Sequence, residues 1–314
     1  MTQESIILLL KKNIFYFFYL PFWILRGRAY FKHQVAKRIN FDPALLPYHQ
    51  ELLTFLRNQY QQGRILILAT ASDIVIAKKI ADYLGFFAEV VASDGIQSYS
   101  GKKKLTILQQ KFPHGFDYAG NAAVDLHVWQ GADNIIIVNN HKKLDGKVKA
   151  LGKTVQAYAS HSFTVGNWLR LLRVDEWTKN LLVFIPILVS WQWALILWVR
   201  AFDMFVAFSL CAGANYVLND LLDLNYDRAH PPKHKRVLAQ GKIQIAPAAV
   251  LLFTCLLASL LIAYFLTPRA CLVLLVYFIL SLIYSLYLKY NKWTRNICIG
   301  IFYLLRIAAG AVVI

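Results

Sequence analysis

Residues 215–236, NYVLNDLLDLNYDRAHPPKHKR, bring together side chains able to do chemistry. Asn215, Asn219, Asp223 and Asp227 recur every four residues. On an α-helix each such step advances about 6 Å along the axis and only about 40° around it. The four therefore form one polar ladder on a single face, with Asp220 off to one side. An apolar run, FVAFSLCAGANYVL, leads into the ladder. A basic loop with Arg228, His230, Lys233, His234, Lys235 and Arg236 follows it. Acids at the mouth of a membrane helix, followed at once by bases, suit a metal-bridged diphosphate. Mg²⁺ takes oxygen ligands, typically one or two carboxylates plus substrate phosphates, and bases take the remaining phosphate oxygens. The plainer reading is a helix end entering water with solvated acids. The four-residue repeat, running from amides to acids, favours a site.

The elements that must hold this ladder are apolar spans. The chain has 314 residues, 58% of them hydrophobic, with a formal net charge of +17 and a mean hydropathy of +0.44. Residues 26–165 read as a soluble α/β region and the remainder as a membrane region. Spans of close to membrane length fall at 178–195, 201–221, 246–267, 270–288 and 297–314. Pro186 and the WQWALILW tail bend the first of them or leave it at the interface. Small residues Ala212, Gly213 and Ala214 let neighbouring helices approach closely. Arg306 lies within the last apolar run, where an unpaired cation is costly, and this favours a bundle-facing role with a carboxylate or phosphate partner.

Short-loop charge sets the orientation. Arg228, Lys233, Lys235, Arg236 and Lys242 follow the second span, and Lys289, Lys292 and Arg295 follow the fourth. The opposite loops hold only Arg200 and Arg269. The positive-inside rule puts the motif loop and the soluble region on the cytoplasmic side of an integral membrane protein. It also accounts for much of the net charge. No nucleic-acid-binding module accompanies that charge, so the expected partners are a bilayer and a phosphorylated lipid rather than nucleic acid. Cys211, Cys255, Cys271 and Cys298 lie in apolar runs without metal-ligand spacing and read as packing residues.

N-D-x-x-D-x-x-x-D followed by R-x-H-P resembles the first aspartate-rich motif of the UbiA superfamily of intramembrane prenyltransferases. The resemblance extends upstream to LRLLRVDEWTKNLLVF, with its W-x-K-N at Trp177–Asn180, and downstream through YSLYLKYNKWTRNICIGIFYLLRIAAG. It covers residue 169 onward. It implies an all-α transmembrane bundle that uses Mg²⁺ to transfer a polyprenyl group from an isoprenyl diphosphate to an acceptor. Asp223, Asp227, Asn219 and Asp220 are then the catalytic set, with Asn219, Asp223 and Asp227 on the metal. Lys179, Arg228, Lys235, Arg236 and Arg306 become the diphosphate ligands. The D-R-x-H-P-x-K-x-x-R arrangement also resembles transferases that move phosphoribose onto a polyprenyl phosphate. Enzymes of the superfamily have nine helices and two such motifs, whereas the loop at 289–296 holds no acid. A non-catalytic membrane scaffold is the third reading.

Upstream, residues 42–62 carry leucines at helical spacing and 65–70 form a short apolar run suited to a buried parallel strand. Ser72 and Asp73 can cap a helix over 74–84 that stops at Gly85. A strand at 88–93, a helix at 102–111, a strand-loop-helix at 116–132 and a last strand at 134–139 complete βαβ units with a parallel sheet. Residues 139–152 read as a connector, giving divisions at 1–150, 151–175 and 176–314. Residues 5–25 are apolar and aromatic, and read as an amphipathic segment packed on its own domain or lying in the membrane interface.

Over about residues 26–145 the order of these pieces resembles the haloacid dehalogenase-like phosphohydrolase fold. The resemblance puts Thr70, Lys104, Asn121 and Asp125 in a vestigial phosphate and Mg²⁺ site. The family's D-x-D nucleophile strand does not occur before Ile65, and Asn121 stands where an aspartate is usual. Covalent phosphoryl transfer then has no starting atom. Both regions therefore read as truncated.

Overall fold

The computed structural model describes residues 2–138, 142–158 and 164–314. The chain divides into two compact units, 1–163 and 164–314.

In the first unit, helices α1 (Thr2–Lys12), α2 (Tyr16–Leu25) and α3 (Arg28–Ala36) precede α4 (Gln50–Gln61). The leucine spacing over 42–62 suggests one helix. Pro43 instead opens a 3-10 turn, Pro43–Leu45, and α4 starts only after Pro47, capped by the His49 ring. Proline cannot donate to a helix interior and biases the residue before it away from helical angles. Strand β1 (Ile67–Asp73) follows, and the Asp73 carboxylate accepts from Val75 N at 3.0 Å, capping α5 (Ile74–Leu84). Gly85 ends α5 with φ 73°, a left-handed turn that costs glycine little. Then come β2 (Glu89–Ser93), α6 (Lys102–Lys111), β3 (Tyr118–Gly120), α7 (Leu126–Gly131), β4 (Ile135–Val138), α8 (Lys142–Lys149) and β5 (Val155–Tyr158).

All described strand pairs are parallel, and they form two sheets: β1 with β2, and β3-β4-β5. Trp129, Ile135, Ile137 and Val148 fill the core beneath the second sheet. The expected connector over 139–152 contains α8, whose Leu144 and Val148 are buried. Residues 139–141 of that connector lie outside the described residues, as do Asn139 of the strand expected at 134–139 and residues 159–163 of the lead-in. The strand at 134–139 does not close the set. β5 pairs beyond it, Ile135 with Val155 through Val138 with Tyr158. Its sequence VQAY is exposed along most of its length, so it lacks the apolar run that marks a buried strand.

The second unit is helical: α9 (Val165–Leu172), a 3-10 stretch (Val174–Phe184), α10 (Ile185–Val189), α11 (Leu195–Leu222), α12 (Leu224–Ala229), α13 (Ile245–Leu266), α14 (Pro268–Leu286) and α15 (Lys292–Ala311). Three helices, α11, α13 and α14, are long and apolar enough to cross a membrane. The span expected at 178–195 is not one of them. That segment is 3-10 up to Phe184, restarts as the short α10 with Pro186 in its first turn, and stops at Ser190. The span expected at 297–314 lies in α15, which carries Lys292, Arg295 and Arg306 and is not among the three. Met204, Phe208, Cys211, Leu274 and Ala309 meet in a fully packed core, joined by Val183 of the 3-10 stretch.

Candidate functional site

α11 stops at Leu222, because Asp223 (φ −94°, ψ 10°) leaves the helix and α12 starts after it. The ladder of 215, 219, 223 and 227 is therefore not one continuous helical face. Asn215 and Asn219 lie on α11, Asp223 at the joint and Asp227 on α12. Asp220, expected off to the side, is instead the hub. One of its oxygens accepts from Arg173 at 2.7 Å and from Arg236 at 3.0 Å. Arg236 also donates to Asp227 at 2.7 Å, and Lys289 reaches Asp223 at 2.5 Å. Asp220, Asp223 and Asp227 are all buried. Burial pushes the Asp227 carboxyl above the usual aspartate range against the pull of Arg236, and the neighbouring Asp220 and Asp223 push the same way.

Arg173, Arg236 and Lys289 thus pair with the three buried carboxylates. Of the expected bases, Arg236 is among these partners. Lys235 is exposed. Arg228 donates to the carbonyl of Ala239 at 3.3 Å. Lys179 pairs with Glu176, three residues before it. Arg306 is buried but stands apart, donating to Asn180 Oδ1 at 2.8 Å and to the Phe302 carbonyl at 2.7 Å. Asn180 in turn donates to Ser209 at 3.0 Å. Eleven residues of α11 separate Ser209 from Asp220, about 16 Å of helix. The rings of Phe208, Tyr277 and Tyr303 surround the guanidinium at 5.3 to 5.6 Å. Among the described residues no carboxylate pairs with it, so amide, carbonyl and aromatic partners stand where an acid or phosphate was expected.

Sequence reasoning missed Arg173 and Lys289 as site residues. Arg173 ends α9 in the left-handed region (φ 50°) and stacks 4.6 Å over the Tyr216 ring. A non-glycine residue held there stores strain, and such strain clusters at functional sites. Lys289 carries only an orientation signal in the sequence, and nothing local marks it as a partner for an aspartate 66 positions away.

Two observations bear on a metal. Asp227 Oδ1 is buried with no hydrogen-bond partner, and such an orphaned carboxylate oxygen is a suitable hard-cation ligand. Among the described residues, though, no group of three or more His, Cys, Asp or Glu side chains is placed to hold a metal ion. The residues present offer one unpartnered carboxylate oxygen, so a cation there needs substrate oxygens for most of its ligands.

In the α/β unit, Lys104 donates to the Tyr118 hydroxyl at 2.7 Å and lies 3.5 Å from Asp125. Tyr118 donates to Asp125 Oδ1 at 3.1 Å. The other Asp125 oxygen accepts from the backbone of Asn121 and Ala122, both at 3.1 Å. The Thr70 hydroxyl is engaged locally, accepting from Ser72 N at 3.1 Å. The structure brings Lys104 and Asp125 together in a self-satisfied network, while the Asn121 residue is exposed.

Residues 180–314 match the UbiA prenyltransferase family. A protein of Sinorhizobium fredii described as uncharacterized, y4nM, is 34% identical over 297 residues, covering 93% of this chain and 57% of its own length. The decaprenyl-phosphate phosphoribosyltransferase of Mycobacterium tuberculosis is 32% identical over 154 residues, 47% of this chain and 51% of that protein. Its namesake in Mycolicibacterium smegmatis is 33% identical over 155 residues, 47% and 48% of the two chains. The chain spans about half the length of the curated relatives it matches. The family match does not reach the N-terminal α/β region. The C-terminal part of this chain, residues 180–314, is a UbiA prenyltransferase family domain.

Proposed function

We propose that the helical unit is a Mg²⁺-dependent membrane transferase. It takes a polyprenyl phosphate as acceptor and a phosphoribosyl diphosphate as donor. The observation that carries this reading is the buried cluster of Asp220, Asp223 and Asp227, paired with Arg173, Arg236 and Lys289 and with one Asp227 oxygen left without a partner. A diphosphate entering this cluster brings several negative charges, part of which a divalent cation would offset. Bound Mg²⁺ would stabilise charge on the departing diphosphate. Asp223, Asp227 and Asn219 would hold it. Arg236, Arg173 and Lys289 would exchange carboxylate partners for phosphate oxygens, with the two arginines able to bind bidentately. The apolar helices α11, α13 and α14 would take the lipid tail. The donor is chosen from the named relatives in Mycobacterium tuberculosis and Mycolicibacterium smegmatis.

Prenyl transfer from an isoprenyl diphosphate is the other chemistry that the same network suits. Membranes containing the chain, supplied with Mg²⁺ and either radiolabelled phosphoribosyl diphosphate plus a polyprenyl phosphate or radiolabelled isoprenyl diphosphate plus a ring acceptor, separate the two. Label in a lipid product from the first pair only, lost in Asp223→Asn, is the expected result. Label from the second pair only replaces it with the prenyltransferase. No product from either, with wild type and Asp223→Asn alike, leaves a scaffold.

The α/β unit supports the reading of a phosphatase-like shell without phosphatase chemistry. Among the described residues β1 and β3 each pair on one edge only, and both line a cavity of about 500 Å³ together with Phe55, Leu108 and Phe112. A sheet of the haloacid dehalogenase-like kind lacking its nucleophile strand would divide in this way. On this reading the expected phosphate release from para-nitrophenyl phosphate is at background, and release abolished by Lys104→Ala would overturn it.

A further inference from the structure

Helix α2 presents two apolar faces and only one is covered. Tyr16, Leu20 and Trp23, at helical spacing, pack on the core formed by Leu9, Phe31, Val35 and Ile76. The opposite stripe is Phe15, Phe18, Phe22 and Leu25, at spacings of three, four and three residues. These four are 66%, 66%, 66% and 84% exposed, and Phe17, Tyr19 and Ile24 beside them are more than half exposed. The stripe is an open apolar strip along the helix that ends at Arg26. Water is a poor neighbour for such a surface. Patches of this kind on soluble proteins mark interaction sites.

Three features choose the occupant. The first is charge: residues 1–41 hold seven Lys and Arg (11, 12, 26, 28, 32, 37 and 38) against the single acid Glu4, which is buried. Lys11, Lys12, Arg26, Arg28 and Lys37 are exposed. The second is composition: five of the seven exposed apolar residues are Phe or Tyr, the residue class that favours the region between headgroups and hydrocarbon. The third is length. Ten residues give about 15 Å of helix, half of what spanning the hydrocarbon needs. The same chain carries three helices of membrane length, so a bilayer is always within the protein's reach.

We propose that α2 is an in-plane anchor by which the α/β unit binds an anionic bilayer. The Phe15, Phe18, Phe22 and Leu25 stripe enters the outer hydrocarbon, and Arg26 receives a lipid phosphate at its end. The anchor is independent of the transfer chemistry.

The test uses the full chain reconstituted in vesicles. Cys211, Cys255, Cys271 and Cys298 are replaced by alanine and a nitroxide is placed at Phe18→Cys, at Phe22→Cys, and at Tyr60→Cys on α4 as the exposed control. Accessibility to oxygen and to a water-soluble nickel chelate is read by power saturation. In vesicles of three parts phosphatidylglycerol to seven of phosphatidylcholine, positions 18 and 22 are expected to favour oxygen, at depths of about 5–10 Å, and position 60 to favour nickel. In pure phosphatidylcholine the preference should drop at least threefold. Nickel access at 18 and 22 equal to that at 60 overturns the anchor. Protection from both reagents overturns it in favour of a protein partner or a second copy. Equal insertion in the two vesicles overturns the role of the basic residues. Hydrogen exchange of the unaltered chain in nanodiscs of the same two compositions keeps the test open if the cysteine-free protein misfolds. Amides of residues 16–25 should exchange at least threefold more slowly with phosphatidylglycerol, and identical rates overturn the proposal.

Discussion

Asp227 has one oxygen bonded to Arg236 and the other buried without a partner. Removing Arg236 strands it. Arg236→Met should destabilise the helical unit by about 3 kcal/mol, because a buried carboxylate loses the base paired with it. Adding Asp227→Asn to that variant should recover most of the loss, read as a coupling in denaturant titrations of the four proteins. Asp227 also gives a pH dependence. Its carboxyl titrates above the ordinary value in the folded chain, burial being the main cause. Its contribution is therefore complete below the unfolded value of about 4 and is lost as pH rises through the higher folded one. Asp227→Asn should remove that downward component from the stability profile. Asp117 has the opposite sign. Burial alone would raise its carboxyl, but Arg64, 2.7 Å away, and Asn134 hold it below the usual range. Its contribution is present above about pH 4 and is lost as pH falls through the lowered value.

At the scale of elements, the 3-10 stretch Val174–Phe184 meets α15 at two levels. Asn180 holds Arg306, and Gly310 packs against the Val183 backbone, where an added Cβ would lie 2.0 Å from the carbonyl oxygen. Eleven residues of 3-10 helix is long for a geometry that is uncommon beyond three or four, so tertiary contacts must hold it. Gly310→Ala should cost about 1–3 kcal/mol through overpacking. Gly300→Ala, on the same helix with nothing within 4 Å of its new methyl, should be neutral or stabilise by up to about 1 kcal/mol. Thermal melts of the two variants in one detergent give the comparison. α5 and α6 are legible in the sequence because caps, periodicity and a closing glycine agree for the former and helical spacing suffices for the latter. The 3-10 stretch is not, since its apolar spacing is equally compatible with a span.

For the whole molecule, Lys289 and Asp223 meet although they follow different membrane-length helices, α14 and α11. The carboxyl ends of both helices therefore share one side of the helical unit. Basic residues cluster at those ends, and the positive-inside rule directs them to the cytoplasm. In intact cells, cysteines at Lys235 and Tyr60 should resist an impermeant maleimide while one at Arg269 reacts, and all three should react after permeabilisation. The reverse pattern would invert the topology. The two units also have separate cores, so calorimetry in detergent should resolve two transitions, with urea shifting the α/β one first.

Residue order by itself determined the parallel α/β region, the three long apolar helices and the acidic stretch at the foot of α11. Each rests on local periodicity, on capping, or on runs of one residue class. Folding alone decided that Asp220 is the hub, that Arg173 and Lys289 join it, that Arg306 stays about three turns away, and that β5 extends the second sheet. These outcomes come from side chains tens of residues apart competing for a few buried positions. A spacing pattern has no term for that competition, because the neighbours that settle it are supplied by other helices and strands.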